Sequence, residues 1–400
     1  MRRMTIGLLW HTWNSANRGV DALTRANIAI IRAAGSRAGV IPQFVLLGIP
    51  SGITPDEEDI RVGPYLRPKR LLMGDFGYFA ALARCDVVFD IGEGDSFSDI
   101  YGTFRFLFLC ATKLCVLWVR KALVLSPQTI GPFKHAWTGV IAAYLMRRSR
   151  LVFSRDGSST KLLADLDIRE NAAEAIDVAF RLPFTRQTPA HDGTLRIGIN
   201  VSGLMYYEGS RFGLKLDYRG LTHELIKVLL QRPNVEVWLV PHVFGRGLAD
   251  DDVPVSKYLC AEYPALRIAP YFANAADAKS FISGLHFFIG GRMHACIAAY
   301  ASGVPVVPVA YSRKFTGLFR TLSYSRVIDA TAQNTVAGIR FILQCLDELV
   351  EMRCEIKPGL VLAQQRLALY EDKVVELLAA LPGEKHDPRE DKAPGVRGRR

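Results

Sequence analysis

The sequence predicts an α/β protein of two Rossmann-like domains facing each other across a cleft, and three observations carry that expectation. Short apolar runs rich in β-branched residues alternate with longer segments of helical period, the pattern of strands joined by crossover helices in parallel sheets. A polar, proline-bearing stretch without periodicity, residues 181–193, interrupts the alternation and reads as a linker. The alternation then begins again. The expected organisation is a domain over residues 1–183 on the acceptor side, a linker over 184–194, a second domain over 195–382 holding an anion site and C-terminal helices, and a disordered basic tail over 383–400.

In the first half, the strand candidates are residues 5–10, 43–48, 87–91, 122–127 and 151–154. Helical spacing covers 21–34, 78–83, 103–119, 136–148 and 158–166. In the second half, strands are expected at 195–201, 236–241, 287–289 and 304–309, with helices at 218–230, 277–283, 295–301 and 335–380. The last helical region is long enough to pack back on the N-terminal half, and the sequence leaves that open.

With 400 residues, half of them apolar, the chain can bury more than one core, which excludes disorder as its overall state. Seven scattered cysteines without a CxxC pair suit buried thiols in a reducing compartment better than a disulfide frame or a zinc site. Met1-Arg2-Arg3-Met4 leads straight into an apolar run too short for a signal-peptide core, so the run is read as the first strand and the protein is expected in the cytoplasm. Lys113, Arg120 and Lys121 interrupt the best membrane-span candidate, residues 104–126, which therefore reads as a buried helix followed by a core strand. The formal charge of +11 lies partly in the tail and suits an anionic substrate or peripheral contact with an anionic membrane's inner face. Without a zinc finger, an RNP-type aromatic motif or a helix-turn-helix signature, nucleic acid is not an expected partner. Gly92-Glu93-Gly94 lacks the full dinucleotide spacing, and no Walker sequence or metal-ligand spacing is found, so no cofactor and no metal are expected.

The most informative run is Phe287-Phe288-Ile289-Gly290-Gly291-Arg292-Met293-His294-Ala295-Cys296. It reads as a buried strand, a tight turn and the start of a helix, which puts Arg292 and His294 at the carboxyl end of a parallel strand. That edge, beside a helix N-terminus, is where open α/β sheets bind anions. The plainer alternative is a helix-capping arginine beside a satisfied histidine.

Taken in order, several motifs resemble the polysaccharide pyruvyl transferase family. They are Asn17-Arg18-Gly19-Val20-Asp21, the stretch from Asp90 to Asp99, Ser126-Pro127-Gln128-Thr129-Ile130-Gly131-Pro132-Phe133, and Ser154-Arg155-Asp156-Gly157-Ser158-Ser159. Asp177-Val178-Ala179-Phe180, Pro241-His242-Val243 and the block from Gly291 to Lys314 complete the set. The resemblance implies a fold similar to glycosyltransferase-B (GT-B), phosphoenolpyruvate as co-substrate, a saccharide or lipid-linked saccharide acceptor, and active-site roles for Arg292 and His294. Two departures from the family pattern stand out: Val20 precedes Asp21, and Glu93 interrupts a glycine run.

The residues suit that chemistry. A carboxylate and a phosphate on three carbons call for at least two cations and several N–H donors. Arg292 offers a bidentate fork, Lys314 and Arg313 a second charge, Gly291 and its neighbour backbone amides, and Arg155 a cation from the other lobe. Ketal formation needs an acid for the methylene carbon and a base for a hydroxyl, and His294 can serve as either. On the acceptor side the candidates are Asn17, Asp21, Asp95, Asp99 and His242. Arg155 reads equally well as a salt-bridge residue, the aspartates as caps or turns, and His242 as a structural residue beside proline. Trp10, Trp13, Tyr206 and Tyr207 are sugar-stacking candidates, though most aromatics are core. A glycosyltransferase using a nucleotide sugar and a non-catalytic saccharide-binding relative remain alternatives. The sequence leaves the acceptor sugar and the oligomeric state open.

Overall fold

The computed structural model describes residues 1–48, 54–67, 73, 75–94, 96–190, 192–245, 247 and 249–382. The expected tail over 383–400, Asp95 and His191 fall outside the described residues.

The first domain is a seven-stranded parallel sheet of β1 (Arg2–Leu9), β2 (Val40–Leu46), β3 (Ile60–Val62), β4 (Val87–Asp90), β5 (Ala122–Gln128), β6 (Leu151–Ser154) and β7 (Ala172–Glu174). Its spatial order is β3-β2-β1-β4-β5-β6-β7. The described helices around it are α1 (Arg18–Arg37), α2 (Gly77–Arg84), α3 (Thr103–Trp118), α4 (Ala136–Arg148) and α5 (Gly157–Asp165). The second domain is a six-stranded parallel sheet of β8 (Leu195–Asn200), β9 (Val235–Leu239), β10 (Arg267–Ile268), β11 (Phe287–Gly290), β12 (Val306–Ala310) and β13 (Ile328–Asp329). Its order, β10-β9-β8-β11-β12-β13, repeats the first around β8. Its helices are α6 (Gly203–Glu208), α7 (Tyr218–Leu230), α8 (Asp252–Glu262), α9 (Ala275–Ser283), α10 (Met293–Ala301), α11 (Arg313–Thr321), α12 (Thr335–Asp347) and α13 (Leu349–Ala380).

In each sheet the order reverses beside the first strand, between β1 and β4 and between β8 and β11. Open α/β sheets bind ligands in the crevice at such a reversal, outside the carboxyl ends of the strands. The turn after β4 carries Gly92, Glu93 and Gly94, and the turn after β11 carries Gly291 and Arg292, so the two candidate motifs occupy equivalent places. β4 and β5 are buried along most of their length because helices cover both faces of a parallel sheet.

The expected helix at 335–380 is two helices that meet at Glu348, and Pro358 lies inside the second. α13 does pack on the N-terminal domain. Its Tyr370 hydroxyl donates to Asn27 Oδ1 at 2.8 Å and lies 3.1 Å from Ser126 Oγ. Glu371 pairs with Arg37 at 3.0 Å and Arg181 at 2.8 Å. Lys279 of α9 is buried and donates to the carbonyls of Phe180 at 3.3 Å and Leu182 at 3.0 Å, which pins the chain where it leaves the first domain. One apolar core runs continuously through both domains.

No helix among the described residues is long and apolar enough to cross a membrane. The short strands β3, β7, β10 and β13 were not expected, since two or three residues carry no period. α6, α8 and α11 were also missed; α8 has almost no apolar stripe to announce it.

Candidate active site

The site lies where the N-terminus of α1 meets the N-terminus of α10. Asn17 caps α1, its Oδ1 accepting from the Gly19 N–H at 2.9 Å, and it forms an isolated antiparallel bridge with Val243 of the other domain. The Arg18 N–H donates to the His242 carbonyl at 3.0 Å, and the Phe244 N–H donates to the Ala16 carbonyl at 2.9 Å. This backbone pairing laces residues 16–18 to 242–244 across the domain boundary, and it uses Asn17 as a cap and a bridge.

His294, at the start of α10, faces that seam. A Cβ on Gly19 would stand 2.4 Å from its Nδ1, and a Cβ on Gly94 would stand 4.0 Å from its Cε1. Its Nε2 lies 3.6 Å from Asp177 Oδ2, longer than a hydrogen bond but close enough for an ion pair once the ring is protonated. Nε2 has no hydrogen-bond partner. Asp177 is fully buried and also accepts from Arg155 Nη1 at 2.8 Å and the Ala179 N–H at 2.9 Å. Burial pushes the Asp177 carboxyl up, but the Arg155 guanidinium, then His294 and the Ala179 N–H, outweigh it and hold its pKa at about 2. Asp177 is thus a carboxylate at any ordinary pH, directed at the imidazole.

His242 is buried, and neither ring nitrogen has a hydrogen-bond partner. Burial pushes its pKa well below the ordinary value, and the charges of His294, Arg18 and Arg292 push the same way, so the ring is neutral. Unpartnered buried polar groups are rare in native proteins and call for an explanation, of which a ligand position is one. Arg18 is buried as well. Its Nη1 donates to the Ser15 carbonyl at 2.6 Å, and its Nη2 donates to the Tyr271 hydroxyl at 3.0 Å and the Phe272 carbonyl at 2.5 Å. Among the described residues no carboxylate pairs with it, and its Nε is unpartnered.

Several sequence expectations are corrected by this geometry. Arg292 is not a free fork: its guanidinium makes hydrogen bonds to Asp252 Oδ1 at 2.8 and 3.1 Å, to Asp250 Oδ1 at 2.8 Å and to the Asp250 carbonyl at 2.8 Å. Asp252 also accepts from the N–H groups of Gly203, His242 and Val243, so Arg292 braces the loop that carries His242. The amides of the glycine turn are not open either. The Gly291 N–H donates to the Asn200 carbonyl at 3.0 Å and the Arg292 N–H to Asn200 Oδ1 at 2.9 Å.

Arg155 is buried, donating from Nε to Thr129 Oγ1 at 2.9 Å and from Nη1 to Asp177 Oδ2 at 2.8 Å, while its buried Nη2 has no hydrogen-bond partner among the described residues. Lys314 reaches across the domains to the Tyr101 hydroxyl at 3.2 Å. Asp21 is committed to the Asn14 N–H at 2.8 Å, the Ala275 N–H at 2.7 Å and Arg25 at 3.1 Å. Asp99 caps α4 through the N–H groups of Lys134 at 2.8 Å and His135 at 3.2 Å. Both carboxylates accept from protein groups, Asp99 also from the Thr138 hydroxyl at 2.7 Å. Asp95 lies outside the described residues.

Gly92, Glu93 and Gly94 all have positive φ, at 63°, 56° and 80°. Three successive left-handed residues account for a preference for glycine there, and Glu93 holds that conformation at a cost of about 1–2 kcal/mol. Its N–H donates to the Trp10 carbonyl at 3.2 Å, and its carboxylate lies 3.6 Å from Arg105. Trp10, Trp13 and Tyr206 are core residues, whereas Tyr207 is exposed. Arg18, Gly19 and Asp177 were missed as site residues although each stood inside a motif, because only the fold brings them together. Among the described residues no cluster of histidine, cysteine or acidic side chains could hold a metal ion.

Two parallel sheets of Rossmann order with a histidine buried at their junction define a protein of the GT-B-like class. The chain belongs to the polysaccharide pyruvyl transferase family, whose pattern matches residues 17–313. Amylovoran biosynthesis protein AmsJ of Erwinia amylovora is 23% identical over 256 residues, which span 60% of this chain and 60% of that protein. In fold, the chain is similar to HepE of Anabaena, solved with UDP-glucose, with a TM-score of 0.54, 13% identity, and coverage of 94% of this chain and 100% of that one. A putative UDP-N-acetylglucosamine 2-epimerase from Listeria monocytogenes gives a TM-score of 0.57 at 14% identity, covering 94% of this chain and 97% of that one.

Proposed function

We propose that the protein transfers the pyruvyl group of phosphoenolpyruvate to two hydroxyls of a saccharide or lipid-linked saccharide, in the cytoplasm and without a cofactor, forming a cyclic ketal and releasing phosphate. One observation carries this reading: His294, with a free Nε2 beside the Asp177 carboxylate, shares a buried junction with neutral His242 and with Arg18, a buried cation that no carboxylate pairs with among the described residues. Family membership supports the pyruvyl group as the cargo.

The bookkeeping of the reaction fits two imidazoles. The first hydroxyl adds to C2 of the enol phosphate, and a proton goes to the methylene carbon, which becomes the methyl group. The second hydroxyl then displaces phosphate at C2, and its proton leaves with the phosphate. His294, with its Nε2 3.6 Å from the Asp177 carboxylate, is suited to hold the proton delivered to carbon. Neutral His242 is suited to accept a hydroxyl proton. Arg18 is suited to the donor's negative charge. Because Arg18 and His242 are buried, ligand entry requires the domains to part along the seam between residues 16–18 and 242–244.

Calorimetric titration of phosphoenolpyruvate tests the reading. Saturable binding kept by His294→Ala and lost by folded Arg18→Met, with phosphate release from a mixed saccharide extract abolished in His294→Ala, is expected. No binding with or without the extract, or unchanged phosphate release in His294→Ala, would sink it. Binding of UDP-glucose in its place would move the protein to the glycosyltransferases.

A further inference from the structure

On the N-terminal domain, α3 buries Phe106, Leu109, Cys110 and Val116 but also carries a second apolar stripe that faces outward. Phe104 and Trp118 are 84% and 74% exposed, and Leu107 and Leu114 are exposed between them, at spacings that keep all four on one helical stripe. The helix's charged residues lie elsewhere: Lys113 is fully buried against Asp90 at 3.1 Å, and Arg105 lies 3.6 Å from Glu93. α4 runs alongside, with Trp137 packed edge-on against Phe106, and it repeats the pattern through exposed Trp137, Val140 and Tyr144. Soluble proteins rarely leave a contiguous apolar strip of this kind uncovered.

Where both helices end, the strip meets cations. Leu114, Trp118 and Tyr144 line an open depression of about 1100 Å³ together with Arg120, Lys121, Arg147, Arg148, Arg150 and Arg169. Only two carboxylates, Asp167 and Glu170, share its lining. Exposed tryptophan and tyrosine beside arginine and lysine suit the boundary between acyl chains and anionic headgroups.

We propose that this face docks on an anionic phospholipid bilayer. A second copy of the chain is disfavoured, because it would bring the same six cations and two carboxylates to the contact. An anionic headgroup layer balances them. α3 follows the turn after β4 that borders the site, and Tyr101, just before the helix, bonds Lys314 of the other domain at 3.2 Å. The strip therefore starts at the rim between the domains, and docking brings that rim to the bilayer. Its relevance to a lipid-linked acceptor rests on the proposed function; the docking itself does not.

The test is co-sedimentation of the full chain with phosphatidylglycerol/phosphatidylcholine vesicles and with phosphatidylcholine vesicles, without phosphoenolpyruvate or saccharide. Binding to the anionic vesicles at low salt, on the order of tenfold tighter than to neutral ones, is expected. Combined substitution of Trp118, Trp137 and Tyr144 by serine should cut partitioning by roughly tenfold, and Arg147→Glu with Arg148→Glu should remove most of its salt dependence. Trp137 and Trp118 also pack edge-on against Phe106 and Phe79, so thermal midpoints are measured beside partitioning and only folded variants are compared. Quenching of tryptophan fluorescence by brominated lipid provides a readout that needs no variant. Failure of the wild type to bind anionic vesicles, or equal binding by the folded variants, would overturn the proposal. So would a dimer that the serine substitutions dissociate, which would assign the face to a second copy.

Discussion

His294 and Gly19 meet across the domain boundary with no room for another atom: a Cβ at position 19 would stand 2.4 Å from the imidazole Nδ1. The glycine is required by this approach, which brings the ring of one domain against the first turn of a helix in the other. The site therefore exists only when the two domains are assembled.

Gly19→Ala is expected to displace the imidazole or part the domains. Overpacking of this kind costs about 1–3 kcal/mol. A lowered denaturation midpoint, with a shifted His294 ring signal in the NMR spectrum at fixed pH, is the expected result. A variant with both properties unchanged would show that the close approach does not hold in solution.

Asp177 links stability to acid. Its folded pKa of about 2 lies below the ordinary 3.8, so its ion pairing stabilises the protein above that ordinary value and is lost as pH falls through about 2. Asp177→Asn should lose on the order of 2 kcal/mol at neutral pH and show a flatter acid limb between about pH 4 and 2 in urea unfolding. An acid limb as steep as in the wild type would refute the assignment.

Arg292 is expected to be a stability residue more than a donor ligand. Removing one partner of a buried ion pair costs about 3–5 kcal/mol, so Arg292→Ala should lower the urea midpoint sharply by freeing Asp252 and Asp250. If instead that variant keeps its midpoint and loses only phosphoenolpyruvate binding, the guanidinium exchanges carboxylates for substrate.

Tyr370→Phe tests the return of the last helix. The hydroxyl bonds Asn27 and lies beside Ser126, both in the buried interior, so its loss should cost about 1–3 kcal/mol. Hydrogen exchange should speed up in α13 and α1 together. Faster exchange in neither would mean that the helix is held by other contacts.

Much of the fold was legible because parallel sheets advertise themselves. β6, α4 and α7 fall where apolar runs and helical spacing place them, and the break after residue 181 marks where the second sheet is about to start. The place of Arg292 and His294 between a buried strand and a helix was also legible, since a glycine turn after an apolar run has few other readings.

What each side chain does there was not legible. From the sequence, Arg292 and Arg155 are both unassigned cations, and a cation's availability depends on which carboxylates the fold brings within about 3 Å. Asp250 and Asp252 are some 40 positions from Arg292, and Asp177 is 22 from Arg155. Asp21 and Asp99 looked like free carboxylates until the N–H groups of Ala275 and Lys134 claimed them. Periodicity and turn chemistry are local, so the sequence by itself determined the two Rossmann-like units and the segments that border the cleft. Charge pairing and close approach act between residues distant in the chain, so only the tertiary structure decided that Arg292 is spent, that Asp177 faces His294, and that Gly19 leaves that histidine its place.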